Sequence, residues 1–107
     1  MWLFVKDAFL SIVKYAEDPT ALLVRARIKG DIERIFATAA VTETSHADYR
    51  FRAVIPREEV ARAIAEEARK INYTNFKDSV KEEDRHDAYM NCWSIMWRLQ
   101  EQRLKQM

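Results

Sequence analysis

The chain has 107 residues, of which 49% are hydrophobic and 33% charged, and its formal net charge is +1. This length suits a single domain with one core, so we predict that residues 1–107 form one domain, and the hydrophobic content argues against intrinsic disorder. With 18 basic and 17 acidic residues, the chain lacks the positive excess typical of dedicated nucleic-acid binders. Any basic surface must therefore come from clustering.

The cysteine content and the N-terminus predict a cytoplasmic protein. Cys92 is the only cysteine, so no internal disulfide forms, which suits a reducing compartment. The apolar N-terminal run of residues 1–5 is short, and Lys6 and Asp7 end it. We expect it to be neither a signal peptide nor a membrane span.

The first part of the chain predicts a β-hairpin followed by a short helix. Residues 9–15 are rich in β-branched and aromatic side chains, and residues 22–29 alternate between apolar and polar. Asp18 and Pro19 between them are typical of a turn, which favours an antiparallel pairing. Apolar residues at helical spacing then predict a helix over 31–39.

The second part predicts one more strand and mainly helices. Residues 49–55 read as a third strand, and Pro56 begins a helix over 57–71, where its missing N–H is tolerated. A short helical turn is expected near Phe76. The last helix is expected to start between residues 79 and 84 and to end near residue 104.

This order, β-β-α-β-α-α, predicts an α+β fold. We expect a small, mainly antiparallel sheet of three to four strands with helices on one face, as in a ferredoxin-like or similar two-layer sandwich. A fourth strand would come from residues 1–5 or 41–44.

Four arginines occupy alternate positions of two predicted strands: Arg25, Arg27, Arg50 and Arg52. Because strand side chains alternate between faces, all four are predicted to point the same way. The residues predicted on the other face are Val24, Ala26, Ile28, Tyr49, Phe51 and Ala53. Guanidinium groups bind phosphate bidentately and stack on bases, so the first interpretation is an anion- or nucleic-acid-binding face. This interpretation predicts that the arginines are exposed, coplanar and unpaired. The alternative is a solvated face on which they pair with neighbouring carboxylates.

The last helix is rich in aromatic residues and methionine. Tyr89, Trp93, Met96 and Trp97 belong to residue types that are enriched at protein–protein interfaces. The helix has more apolar circumference than one sheet face would bury, so these four residues are predicted to bind a protein partner or a second copy of the chain. The alternative is an ordinary core helix that covers the sheet.

No catalytic pattern accompanies these surfaces. Glu82 and His86 have the i,i+4 spacing of a ligand pair, but acidic residues are expected at a helix N-terminus in any case. No HExxH or CxxC motif occurs. We therefore predict no catalytic residues, no metal site and no cofactor, and expect that the protein is not an enzyme.

Several segments together resemble a group of short bacterial and phage-associated hypothetical proteins. The segments that carry the resemblance are residues 1–4, 24–27, 48–52 and 72–77. The resemblance covers nearly the whole chain and implies one complete small domain, but it implies no chemistry.

The sequence thus predicts a small non-catalytic protein that binds another macromolecule. The first hypothesis is protein binding through the Trp/Met-rich helix, with homodimerisation as one form of it. The resemblance adds a phage-type modulator of a host protein as another form. The alternative hypothesis is nucleic-acid binding through the arginine face.

Overall fold

A computed structural model describes all residues, 1–107. The chain divides into two compact units, a sheet unit (Met1–Asn72) and a helical unit (Tyr73–Met107). The sheet unit contains β1 (Trp2–Val5), β2 (Ala8–Lys14), β3 (Ala21–Ala26), α1 (Asp31–Ile35), β4 (Thr42–Glu43), β5 (Phe51–Pro56) and α2 (Arg57–Arg69). The helical unit contains α3 (Phe76–Ser79) and α4 (Glu83–Lys105).

The five strands form one antiparallel sheet in the order β1-β2-β3-β5-β4. This confirms the α+β class, with five strands where three to four were expected. Both segments that were expected to supply a possible fourth strand, residues 1–5 and 41–44, contain a strand, because each pairs with the exposed edge of a neighbouring strand. β1 pairs along β2 from Trp2↔Ser11 to Val5↔Ala8, and the short β4 pairs with β5. The Met1 ammonium also donates a 2.8 Å hydrogen bond to the Ile12 carbonyl oxygen, which fastens the chain start to the sheet.

One face of the sheet is covered by α1 and α2, as expected for a two-layer arrangement. The apolar residues of that layer form one buried core: Leu10, Ile12, Val24, Ala26, Ile32, Phe36, Phe51, Ala53, Ile55 and Val60. The helix-covered face is formed by the even-numbered residues of β2 and β3 and the odd-numbered residues of β5, as the cross-strand pair Val24↔Ala53 shows. The strand residues of opposite parity therefore lie on the other face.

The helix α1 is shorter than predicted because Phe36 leaves the helical region, at φ −124° and ψ 81°, while remaining buried. The start of α1 is fastened to the sheet by Asp31, which is almost fully buried. Its Oδ2 accepts a 3.0 Å hydrogen bond from the Phe9 N–H. Gly30 precedes it with φ 95°, a left-handed conformation that glycine adopts without steric cost. The only glycine of the chain therefore sits where the backbone needs it.

The β2–β3 turn contains a carboxylate with a shifted pKa. Asp18 Oδ1 accepts hydrogen bonds from the Thr20 hydroxyl (2.7 Å) and the Thr20 N–H (2.9 Å), and these bonds lower the pKa of Asp18. Because the folded-state pKa is depressed, the stabilisation is present above the unfolded-state pKa and is lost as the pH falls through the folded-state value. We expect Thr20→Ala, which keeps only the N–H donor, to raise the Asp18 pKa partway towards its ordinary value. An NMR titration of the carboxyl carbon measures this, and an unchanged Asp18 pKa would contradict the assignment.

The helical unit has an aromatic centre of its own. The Phe76 ring stacks on the Tyr89 ring at 5.7 Å between centroids, and Tyr73 lies 5.7 Å from Phe76. Asn75 caps α3 by accepting a 3.0 Å hydrogen bond from the Lys77 N–H. The long α4 begins at Glu83, within the predicted interval, and ends at Lys105. None of the helices has the length and apolarity that crossing a membrane requires.

Candidate functional site

The C-terminal part of α4 is exposed around its whole circumference. Every residue from Ile95 to Met107 is exposed, which we call the distal segment. It carries six large hydrophobic residues that are exposed to solvent: Ile95, Met96, Trp97, Leu99, Leu104 and Met107. Met96 is 60% exposed and Trp97 51%. A core helix would bury at least one stripe, so that alternative does not hold for this segment.

The four residues predicted to bind a partner separate into two groups. Tyr89 is buried, and its hydroxyl accepts a 3.3 Å hydrogen bond from Arg85 Nη1, so it serves the packing of the protein itself. Trp93, Met96 and Trp97 are exposed on one side of α4. Of the predicted set, only Trp93, Met96 and Trp97 are therefore available to a partner. The aromatic stripe is packed within the protein at Tyr89 and is exposed beyond it.

The two exposed indoles are held in a defined arrangement. The Trp93 and Trp97 rings meet edge to face, with centroids 5.1 Å apart. Lys77 Nζ lies 5.0 Å from the Trp93 ring centroid, and Trp97 Nε1 donates a 3.0 Å hydrogen bond to the Glu101 carboxylate. While α4 is helical, these contacts restrict the indole rotamers, which lowers the side-chain part of the entropy cost of binding.

Sequence reasoning undervalued Ile95, Leu99 and Leu104. Ile95 and Leu99 form a second stripe, on a different side of α4 from the indoles, and both stripes are exposed. The sequence did contain a signal for this second stripe. A helix with apolar residues on more than one side has more apolar surface than a single contact can bury. The exposure itself depends on tertiary placement, which periodicity does not report.

The second candidate surface is the sheet face that α1 and α2 leave uncovered, which we call the open sheet face. Arg25 and Arg52 lie directly opposite each other on β3 and β5. Like charges in this position repel each other. Arg25 Nη2 donates a 2.7 Å hydrogen bond to Ser11 Oγ, while its buried Nε–H has no hydrogen-bond partner in the protein.

Tyr49 organises the arginines. The guanidinium carbons of Arg25 and Arg27 lie 4.5 and 4.1 Å from the centroid of its buried ring. Arg27 also donates to the Asp48 carbonyl oxygen at 2.8 Å. Arg52 donates to the Tyr49 carbonyl oxygen at 3.2 Å and to the Asp48 carboxylate at 3.5 Å. Two of the four predicted arginines therefore lie over one aromatic ring, and a third bonds to the backbone of the same residue.

Two expectations for this surface are wrong. Tyr49 contacts the arginines instead of lying on the opposite face, because β5 begins at Phe51 and strand alternation does not extend to Tyr49. The arginines are also not unpaired, since each has a partner within the protein. Arg50, which precedes β5, forms an exposed 2.9 Å ion pair with Glu43, a type of pair that contributes only about 0–1 kcal/mol.

The registers add three aromatic residues to the open sheet face. Trp2 is paired with Ser11, and Ser11 with Arg25, so the Trp2 and Arg25 side chains lie on the same face. Phe4 and Phe9, a directly opposed pair, share that face by alternation. The Phe9 ring lies 4.6 Å from that of Phe4 and 6.1 Å from that of Trp2. Sequence reasoning missed this association because it left open whether residues 1–5 form a strand.

The remaining polar candidates stay apart. Glu82 pairs with Arg85 at 3.3 Å, whereas His86 Nδ1 lies 3.7 Å from Asp87 Oδ1. Cys92 is exposed. No group of three or more His, Cys, Asp or Glu side chains lies close enough to hold a metal ion.

No protein-family model matches the chain, and comparison with curated proteins and with solved structures gives no match either.

Proposed function

We propose that this is a protein-binding protein whose docking element is α4. The observation that carries the proposal is the distal segment, which keeps its large apolar side chains exposed on every side. Exposed apolar surface of this kind on a folded protein marks interaction sites, because solvent exposure of adjoining large hydrophobic residues is otherwise unfavourable.

The spacing of the exposed residues supports docking of α4 into an apolar groove. Trp93, Met96 and Trp97 stand at positions i, i+3 and i+4, and Leu104 continues the same stripe. Helices that bind in grooves use anchors at this spacing. Tryptophan is also the residue type that most often dominates binding energy, so the indole pair is the expected centre of the contact.

The charges around the stripe support a partner with an acidic rim. The distal segment contains Arg98, Arg103 and Lys105 against the single carboxylate side chain Glu101. That carboxylate already accepts the hydrogen bond from Trp97. Complementary charges at the rim would favour the encounter and fix the direction of the helix. A second copy of the chain offers such acidity in the first turn of its own α4, at Glu83 and Asp84, and is the first partner to test.

The test compares two double variants of the full chain. Trp93→Ala with Trp97→Ala removes the indole pair, whereas Val54→Ala with Ile71→Ala removes two exposed apolar side chains of the sheet unit, outside α4. Sedimentation of each protein over a range of concentrations measures self-association. Immobilised protein is also exposed to a nuclease-treated bacterial lysate, and retained proteins are identified by mass spectrometry.

We expect one protein, either the chain itself or a single stoichiometric partner, to bind the unmodified chain and the control variant. Loss of the indole pair should weaken that binding by at least about 30-fold, the equivalent of one hot-spot residue at about 2 kcal/mol. Equal binding by both variants would contradict the proposal. A chain that stays monomeric and retains no protein would contradict it as well.

A further inference from the structure

We infer that the open sheet face is a second binding site, for single-stranded nucleic acid. In this arrangement bases stack on the aromatic residues of β1 and β2, and phosphates contact the arginines at β3 and β5. The surface belongs to the sheet unit and uses no residue of α4, so this inference and the proposed function stand or fall separately.

The aromatic side of the face offers a stacking platform. Trp2 is 67% exposed and is supported from the side by the Phe9 ring, which meets it at 77°. An exposed indole held on a strand presents its ring to a base at little entropic cost. Base–aromatic stacking is tolerant of sequence and contributes much of the affinity of single-strand binders.

The cationic side keeps its charge although its arginines have partners. Arg25 bonds to a hydroxyl group, Arg27 to a backbone oxygen, and both contact the neutral Tyr49 ring. These contacts orient the guanidinium groups without neutralising them. The one carboxylate in this group is that of Asp48, at 3.5 Å from Arg52.

The face carries no acidic strand residue. Glu43 is the only carboxylate in any of the five strands, and its cross-strand partner Phe51 belongs to the helix-covered face. A cationic and aromatic face whose strands carry no carboxylate, with Asp48 as its one acidic neighbour, complements a polyanion that also presents flat rings. Nucleic acid combines these two properties, whereas an acidic polypeptide offers only the charge.

The geometry favours a single strand over a duplex. From β1 to β5 the face spans three inter-strand spacings, about 14 Å in all. Bases reach aromatic rings on such a surface only when they are unpaired, because those of a duplex are stacked within the helix. A nucleic-acid strand that crosses the face from Trp2 towards Arg52 would stack its bases on the aromatic residues at one end and contact the arginines through its phosphates at the other.

Fluorescence anisotropy of a labelled oligothymidylate of about 12 nucleotides tests the inference. Three phosphate contacts predict a slope of log affinity against log salt of about −2. Arg27→Ala should make this slope shallower by about 0.7. Trp2→Ala should weaken binding about tenfold with the slope unchanged, and Trp2→Phe should restore most of the affinity.

Two matched variants on α4 serve as controls. Arg98→Ala removes the same charge as Arg27→Ala, and Trp97→Ala removes an indole as Trp2→Ala does; neither should change oligonucleotide binding. Circular dichroism checks that each variant is folded. The inference is overturned if Arg98→Ala equals Arg27→Ala, or if the folded Trp2→Ala and Trp2→Phe variants both bind as the unmodified chain does. It is also overturned if a duplex of the same length binds equally well, if polyglutamate competes equally well, or if no binding occurs at low salt.

Discussion

Replacing Leu10 by alanine is expected to lower the free energy of unfolding by about 2–5 kcal/mol, a large share of the about 5–15 kcal/mol that stabilises a typical domain. Leu10 is fully buried in the middle of β2, on the face covered by α1 and α2. Its removal leaves a cavity that the surrounding helices and strands fill only in part. Urea unfolding followed by circular dichroism measures the change as a lower midpoint with the same slope.

The matched control is Val54→Ala, on the opposite face of the same sheet. Val54 is 49% exposed, so its truncation should change the free energy of unfolding by no more than about 0.5 kcal/mol. The comparison tests which face of the sheet is covered, a property on which the binding inference for the open sheet face depends. Equal losses from both substitutions would mean that the second face is covered as well.

The fold was largely predictable because its signals are local. The hairpin of β2 and β3 follows from alternating residues around Asp18 and Pro19, and α2 follows from Pro56 and a regular apolar stripe. The strand β1 was harder to predict, because a short apolar N-terminal segment becomes a strand only where a neighbour offers an open edge. β2 supplies that edge through the tight turn at Lys6 and Asp7.

The candidate sites were predictable in composition but not in contacts. Alternation correctly placed Arg25 and Arg52 on one face, but it wrongly placed Tyr49 on the other, because Tyr49 lies outside β5 and turns back onto the arginines. Helical periodicity likewise grouped Tyr89 with Trp93, although Tyr89 is buried and Trp93 is 43% exposed. Periodicity specifies which residues share a side of an element, whereas burial depends on what the rest of the chain brings there.

In the monomer at high dilution, the amides of residues 95–105 are expected to exchange hydrogen nearly as fast as those of an unfolded peptide. This part of α4 has no packed face, and a free helix of such length is marginal in water because nucleation is costly and packing usually supplies its stability. Protection below about tenfold is expected there. The amides of β2 and β3, in contrast, should open only with the whole sheet.

The same experiment reports binding when it is repeated at high protein concentration or with the identified partner. If binding buries the Trp93 and Trp97 indoles, this part of α4 can no longer unfold without breaking the interface. The amides of residues 95–105 should therefore become protected from hydrogen exchange together. The variant with both tryptophans changed to alanine should stay unprotected under the same conditions, although alanine favours the helix more than tryptophan does. That contrast separates partner binding from a change in helix propensity. Strong protection of these amides in the dilute monomer would instead mean that α4 is packed within its own chain, and the distal segment would then not be free to bind a partner.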